Sequence, residues 1–365
     1  MTMSTPTRTL DDARWDCKAC GACCRDFALG PIKPSIIQGL HDLNIERDHE
    51  PAKDGFAAKR PGPDGSDAWY FKRRDDGACI FLLPDNLCSI HALHGPEAKP
   101  AFCREYPFSV VQDDTGTVVT VRQDCCGAWR TFEDGTPLPE HTESVLALDR
   151  AYAIGQFNMT SVPVLPNVAV QRDDWQYLEQ RLLDDVKPAR PEQVNAQVRE
   201  LLFSALRRRP PATDPYRADA ATQHLVTAIH RALGAAVQTS PGASPETKGM
   251  QAFLSSVHAV LDTALPALPG DDDVHERSER YLDLVWRSQL ISKSFQSLGS
   301  VPAWLGLYLL GTRIARAHAH ASDLPTPADL GPPLSTWIRF TRHRAAQRML
   351  SDLQPALIDL FLYAA

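Results

Sequence analysis

The spacing of apolar positions changes near Pro139. Before it, apolar residues come in short runs bounded by turn formers. Trp69-Tyr70-Phe71 and Cys79-Ile80-Phe81-Leu82-Leu83 read as strands. Pro84-Asp85-Asn86 turns the second run back into Leu87-Cys88-Ser89-Ile90. A clearer hairpin pairs residues 107–112 with 117–122 around Asp113-Asp114-Thr115-Gly116. Beyond Pro139, apolar residues recur at helical spacing over 142–158, 171–187, 191–208, 217–237, 247–264, 274–299, 303–321 and 334–363. Pro210-Pro211, Ser240–Gly249, Leu268-Pro269-Gly270 and Gly331-Pro332-Pro333 separate several of them.

The pattern predicts an α+β chain in two parts. Residues 15–138 form a small irregular domain with short antiparallel strands. Residues 139–365 form a mostly α-helical domain with an internal linker near 240–249. No repeat of 20–50 residues is visible. The apolar run Val301–Leu310 is about half of the ~20 residues a membrane helix needs, so it predicts a buried helix and no membrane span.

Composition narrows the classes. With 43% hydrophobic and 23% charged residues, a core of ordinary size is expected. A net charge of -7 argues against a general nucleic-acid binder. Arg207-Arg208-Arg209 and Arg342-His343-Arg344 read as solvated helix faces or ends. The polar start, Met1–Trp15, lacks the apolar core of roughly 7–15 residues that a secretory signal needs, which leads us to expect a cytoplasmic protein.

All nine cysteines lie between Cys17 and Cys126. An odd number without an export signal argues against a disulfide framework and for metal. Cys17-Lys-Ala-Cys20-Gly-Ala-Cys23-Cys24 is the first element; its short spacers let successive thiolates face one centre, with Gly21 free to take positive φ. Cys79 and Cys88 flank the first turn, and Cys103, Cys125 and Cys126 sit at the open end of the second hairpin. If Gln112 pairs with Thr117, Cys103 falls opposite Cys126. Neighbouring side chains of an extended segment point to opposite faces, so Cys23/Cys24 and Cys125/Cys126 are expected to split between a metal and packing, or between two centres.

His91 is expected near Cys79 across the first turn; His91 and His94 otherwise read as surface histidines, and Asp16, Asp26 and Glu105 as solvated charges or acceptors beside the ligands. All-thiolate ligation suits both zinc and an iron–sulfur cluster, and the dense opening run favours the cluster.

These residues resemble the YkgJ-type cysteine-cluster family, with its CxxCxxCC signature and zinc- or iron-chelating role. The matching pieces are Cys17–Cys24, Gly77–Leu82, Cys88–His91, Gly95–Pro100 and Cys103–Phe108, over about residues 15–130. With the residue-level reading, this gives an expected metal site drawn from Cys17, Cys20, Cys23, Cys24, Cys79, Cys88, Cys103, Cys125 and Cys126. The chain also resembles, more distantly, flagellin lysine N-methylases, which carry a similar cluster ahead of a helical region. That resemblance implies methyl transfer to a protein lysine, with S-adenosylmethionine as cofactor.

No CxxxCxxC of the common radical type, GxGxxG after a strand, P-loop, HExxH or GxSxG occurs. Two readings of different class remain. One is a metal-dependent protein-modifying enzyme acting on a protein substrate. The other is a closed structural metal site beside a helical domain that binds a protein partner. In the helical domain, Trp286, Trp304, Tyr308 and Trp337 are expected as core anchors.

Overall fold

The computed structural model describes residues 6–26, 29–62, 65–148, 155–186, 191–237, 245–264, 276–319 and 325–364. It is α+β: a cysteine-containing N-terminal region of short strands and helices, then a mostly helical region.

The chain begins with β1 (Thr7–Arg8) and β2 (Arg14–Trp15), followed by α1 (Ala22–Asp26), α2 (Pro34–Asp42) and α3 (Ile45–Asp48). Pro34 starts α2, where its missing N–H costs nothing, and Ile37 and Leu40 bury one face. Next come β3 (Ala57–Pro61), β4 (Asp67–Phe71), α4 (Ser89–His94) and α5 (Ala101–Glu105). Strands β3 and β4 pair antiparallel, so the strand expected at Trp69–Phe71 is present. The run from Cys79 forms isolated bridges, Arg73 to Cys79 and Leu82 to Cys88, rather than a full strand. Phe56, Phe71, Phe81 and Ile90 anchor a separate small core that spans residues 29–102.

The second hairpin, β5 (Phe108–Asp113) and β6 (Gly116–Val121), has the expected register, with Gln112 opposite Thr117. Its turn is tighter than expected. Asp113 accepts from the Thr115 amide (2.9 Å) and hydroxyl (2.7 Å), so Asp113 itself pairs with Gly116. Strand β1 runs parallel to β6. The chain continues through α6 (Cys126–Arg130), β7 (Thr136–Pro137) and α7 (Leu138–Leu146) to β8 (Gly155–Gln156), which runs parallel to β5. The helix expected over 142–158 therefore ends early; residues 149–154 lie outside the described ones.

A third hairpin escaped the sequence reading. Strand β9 (Ser161–Leu165) returns as β10 (Val168–Gln171), with Asn167 left-handed at φ 57° in the turn. Then follow α8 (Arg172–Asp185), α9 (Pro191–Ala205), α10 (Pro215–Ala236), α11 (Pro245–Ala264) and α12 (Glu276–Ile291). Residues 238–244 lie outside the described residues and include 240–244, half of the expected linker; 245–249 are helical. The last four helices are α13 (Val301–His318), α14 (Pro327–Thr341), α15 (Arg344–Asp352) and α16 (Gln354–Tyr363), so the expected segment 334–363 is broken into separate helices.

Helix α13 is the axis of the large core. It is buried on nearly every side, as its continuous apolar run requires, and packs against α9, α11, α14 and α16. Ser300 caps it, accepting from the Ala303 amide at 3.4 Å. At Gly306 a Cβ would lie 1.9 Å from the Leu357 carbonyl oxygen, so only glycine permits this approach of α16. Trp286, Trp304, Tyr308 and Trp337 are buried here as expected, with the rings of Trp286 and Trp304 stacked at 5.4 Å. No helix of the described residues is long and apolar enough to cross a membrane.

The large core also holds Leu10, Ala13, the β5–β6 hairpin and α6. The small core of 29–102 is thus bounded, before and after in sequence, by segments that belong to the large one.

Candidate metal centre

The opening cysteines sit on a reversed stretch of backbone. Ala19 (φ 46°) and Gly21 (φ 70°) are both left-handed, and the chain then enters α1, which carries Cys23 and Cys24. The Cys79 amide donates to the Cys24 carbonyl at 2.7 Å, docking the second cysteine segment on the first. Arg25 reaches across to the Asn86 side chain at 3.0 Å, which fixes α1 over the turn between Cys79 and Cys88. Cys88 precedes the first residue of α4, and Cys103 lies on α5 just after Lys99-Pro100.

These segments enclose a cavity of about 260 Å³. Cys23, Cys24, Cys79, Cys88 and Cys103 all line it, with Lys99 beside them. Phe71, Phe81 and Phe102 supply apolar wall, and Tyr106 and Arg122 close the side facing the large core. Five cysteines from four separate stretches of chain therefore face one space.

Two expectations about pairing change, and a third is met with a disulfide in place of a metal ligand. Cys23 and Cys24 do not point apart, because they sit on a helix rather than a strand; both line the cavity, with their sulfurs 3.9 Å apart. Cys125 and Cys126 do separate. Cys125 is buried and caps α6, its sulfur accepting from the Gly127 amide, whereas Cys126 is joined to Cys20 as a disulfide. Cys103 does not face Cys126, because the ladder stops at Phe108 and Val121, and α5 then carries Cys103 toward the cavity. Cys17 is exposed.

His91 is exposed, and neither it nor His94 lines the cavity. Asp16 accepts from the Thr136 hydroxyl at 2.9 Å and so anchors the opening run to β7. Glu105 lies on α5 outside the cavity lining, and the Asp26 side chain lies outside the described residues.

Burial pushes the Cys79 and Cys103 thiols far above their ordinary value. The Cys23 thiol is raised by its hydrogen bond with Cys24 and by desolvation. Burial disfavours the Lys99 ammonium, but Cys103, Cys88, Cys23 and Cys24 outweigh it and raise the Lys99 value. Cys23, Cys79 and Cys103 are thus favoured as neutral thiols beside the Lys99 ammonium. Among the described residues no set of three or more His, Cys, Asp or Glu side chains is drawn up at metal-binding distance; the thiols line a space rather than meet at a point. The donors nevertheless suit a soft cation, which would displace their protons and reverse the cost of charging them.

The helical body reaches the site. Helix α1 packs on α11, and α6 on α14. Asp124, fully buried, takes a paired contact from Arg122 (3.1 and 2.6 Å), and Arg339 of α14 donates to the Asp124 carbonyl at 2.6 Å. Positive charge from Lys99 and Arg339 acts on Cys23. Sequence reasoning missed these cations. Lys99, four residues before Cys103, could have been noticed; nothing in the sequence links Arg339 to the cysteines.

No curated protein and no solved structure matches the chain. Residues 16–127, the stretch that holds the cavity and its five cysteines, match the model of the CxxCxxCC family, described as a "putative zinc- or iron-chelating domain".

Proposed function

We propose that the CxxCxxCC domain binds an iron–sulfur cluster in the cysteine cavity, with ligands drawn from Cys23, Cys24, Cys79, Cys88 and Cys103. The observation that carries this reading is that those five side chains line one cavity beside Lys99. Thiolates are the donors that hold such clusters, and a nearby cation offsets the negative charge they bring. A bound cluster would supply electron transfer or Lewis acidity. Cys17, Cys20, Cys125 and Cys126 are left for a second centre or for structure. Zinc is the second reading, since four thiolates would close a tetrahedral site and leave a purely structural role.

Purification without oxygen, followed by iron, sulfide and zinc analysis, tests the proposal. Iron and acid-labile sulfide near stoichiometric with protein, with brown absorbance, support the cluster. A colourless protein with one equivalent of zinc replaces it with the structural reading. Neither metal, in protein kept reduced, removes both.

The enzymatic extension is methyl transfer from S-adenosylmethionine to a protein lysine, carried by the flagellin lysine N-methylase resemblance. Cluster-loaded protein incubated with labelled S-adenosylmethionine and cell extract should label a protein band. No labelling with the cluster intact leaves a non-enzymatic metal protein whose helical body binds a protein partner.

A further inference from the structure

A second cavity, of about 380 Å³, lies in the large core between β5 and helices α12 to α14. That is within the range of small-molecule sites, roughly 300–1,000 Å³. Its walls are of two kinds. Trp304, Tyr308 and Trp337 give it aromatic faces, and Val110, Leu307 and Leu334 add apolar surface. Its polar wall includes Arg342, at the end of α14, and Lys293.

The two cations are not equivalent. The Lys293 ammonium is already held by Glu179 and by Asp113, the latter at 3.2 Å. Among the described residues Arg342 makes no ion pair. The Asp124 carboxylate closest to it in charge terms is engaged by Arg122. A second group also lacks a partner. Trp304 is 2% exposed, yet its indole Nε1 has no hydrogen-bond acceptor among the described residues. A buried N–H left unpaired is costly and is normally satisfied. Trp337, by contrast, donates to the Leu307 carbonyl.

We propose that this cavity is a binding site for a small aromatic anion, its ring against the Trp304, Tyr308 and Trp337 walls and its carboxylate or phosphate on Arg342. A guanidinium binds such oxyanions in a fixed two-point geometry, and the mixed lining matches a ligand with one flat apolar body and one charged end. An acceptor atom on the ligand would also satisfy the Trp304 N–H. The proposal does not depend on the metal reading.

Calorimetric titration of the full chain with 1-naphthaleneacetate and with its neutral twin 1-naphthaleneacetamide tests it. The acetate is expected to bind with a stoichiometry of one and about tenfold more tightly than the amide, because only the acetate can pair with the Arg342 guanidinium. Arg342→Gln should erase the preference, and Trp304→Phe should weaken both probes. No saturable acetate binding at millimolar concentration, equal affinity for the two probes, or a preference that survives Arg342→Gln would each overturn it. If Arg342→Gln fails to fold, the comparison of the two probes on the unaltered protein decides alone.

Discussion

The two cores are held together by different physics. The large one closes on itself: α13 is surrounded by helices, its apolar run is buried on nearly all sides, and close approaches such as Gly306 on Leu357 leave no slack. The small one, over residues 29–102, packs a few phenylalanines and isoleucines against an open thiol-lined space. Small cores bury too little to stand easily alone and are commonly completed by metals or cross-links. The lesson is that metal should decide the order of one core and be nearly irrelevant to the other.

The largest effect expected from this difference is at Cys103. Cys103→Ser should take bound metal to near zero and make residues 16–105 readily cut by protease, while far-UV circular dichroism of the helical body stays close to that of the unaltered protein. Collapse of the entire helical signal would show that the cores are not independent. Removal of metal by a chelator should reproduce the same protease pattern.

Next is the buried charge group that ties the hairpin to α8. Lys293, 3% exposed, bonds Glu179 and Asp113, and Asp113 also takes Arg8 at 2.6 Å. Lys293→Met leaves two buried carboxylates short of a partner and should cost about 3–5 kcal/mol in chemical denaturation. Adding Glu179→Gln should recover part of the loss. Metal content should not change in either variant.

Gly306→Ala comes third. A methyl group cannot fit 1.9 Å from a carbonyl oxygen, so α16 must shift, at a cost of about 1–3 kcal/mol. A lower melting temperature with full metal retention is expected. Metal loss in this variant would mean that the site depends on the packing of α13 and α16.

The smallest effect is one of pH. Burial alone would raise Asp113, but Thr115, Lys293 and Arg8 outweigh it and hold its carboxyl below the ordinary value. Its stabilisation is then complete above the unfolded carboxylate value of ~3.9 and is lost as pH falls through the lower folded one. Asp113→Asn should therefore narrow the difference in stability between pH 6 and pH 3, as read from urea midpoints.

Much of this layout was legible in the sequence, for physical reasons. The β5–β6 register followed from alternation and one turn, and most of the long helices from apolar period alone. What was missed depended on context. The β9–β10 pair is too short for its alternation to stand out beside helical neighbours. The side-by-side placement of Cys23 and Cys24 needed the knowledge that α1 is helical. Cys103 was read by extending the hairpin past its last pair, where α5 redirects the chain. The nine thiols pointed to a cysteine cluster, but only folding shows that five share one cavity while Cys20 and Cys126 meet elsewhere.

X-ray absorption at the metal edge of the anaerobically purified protein tests the central claim most directly. The account predicts a first shell made only of sulfur, at about 2.3 Å, that is lost in Cys103→Ser. A nitrogen- or oxygen-dominated shell, or a sulfur shell untouched by Cys103→Ser, would contradict it.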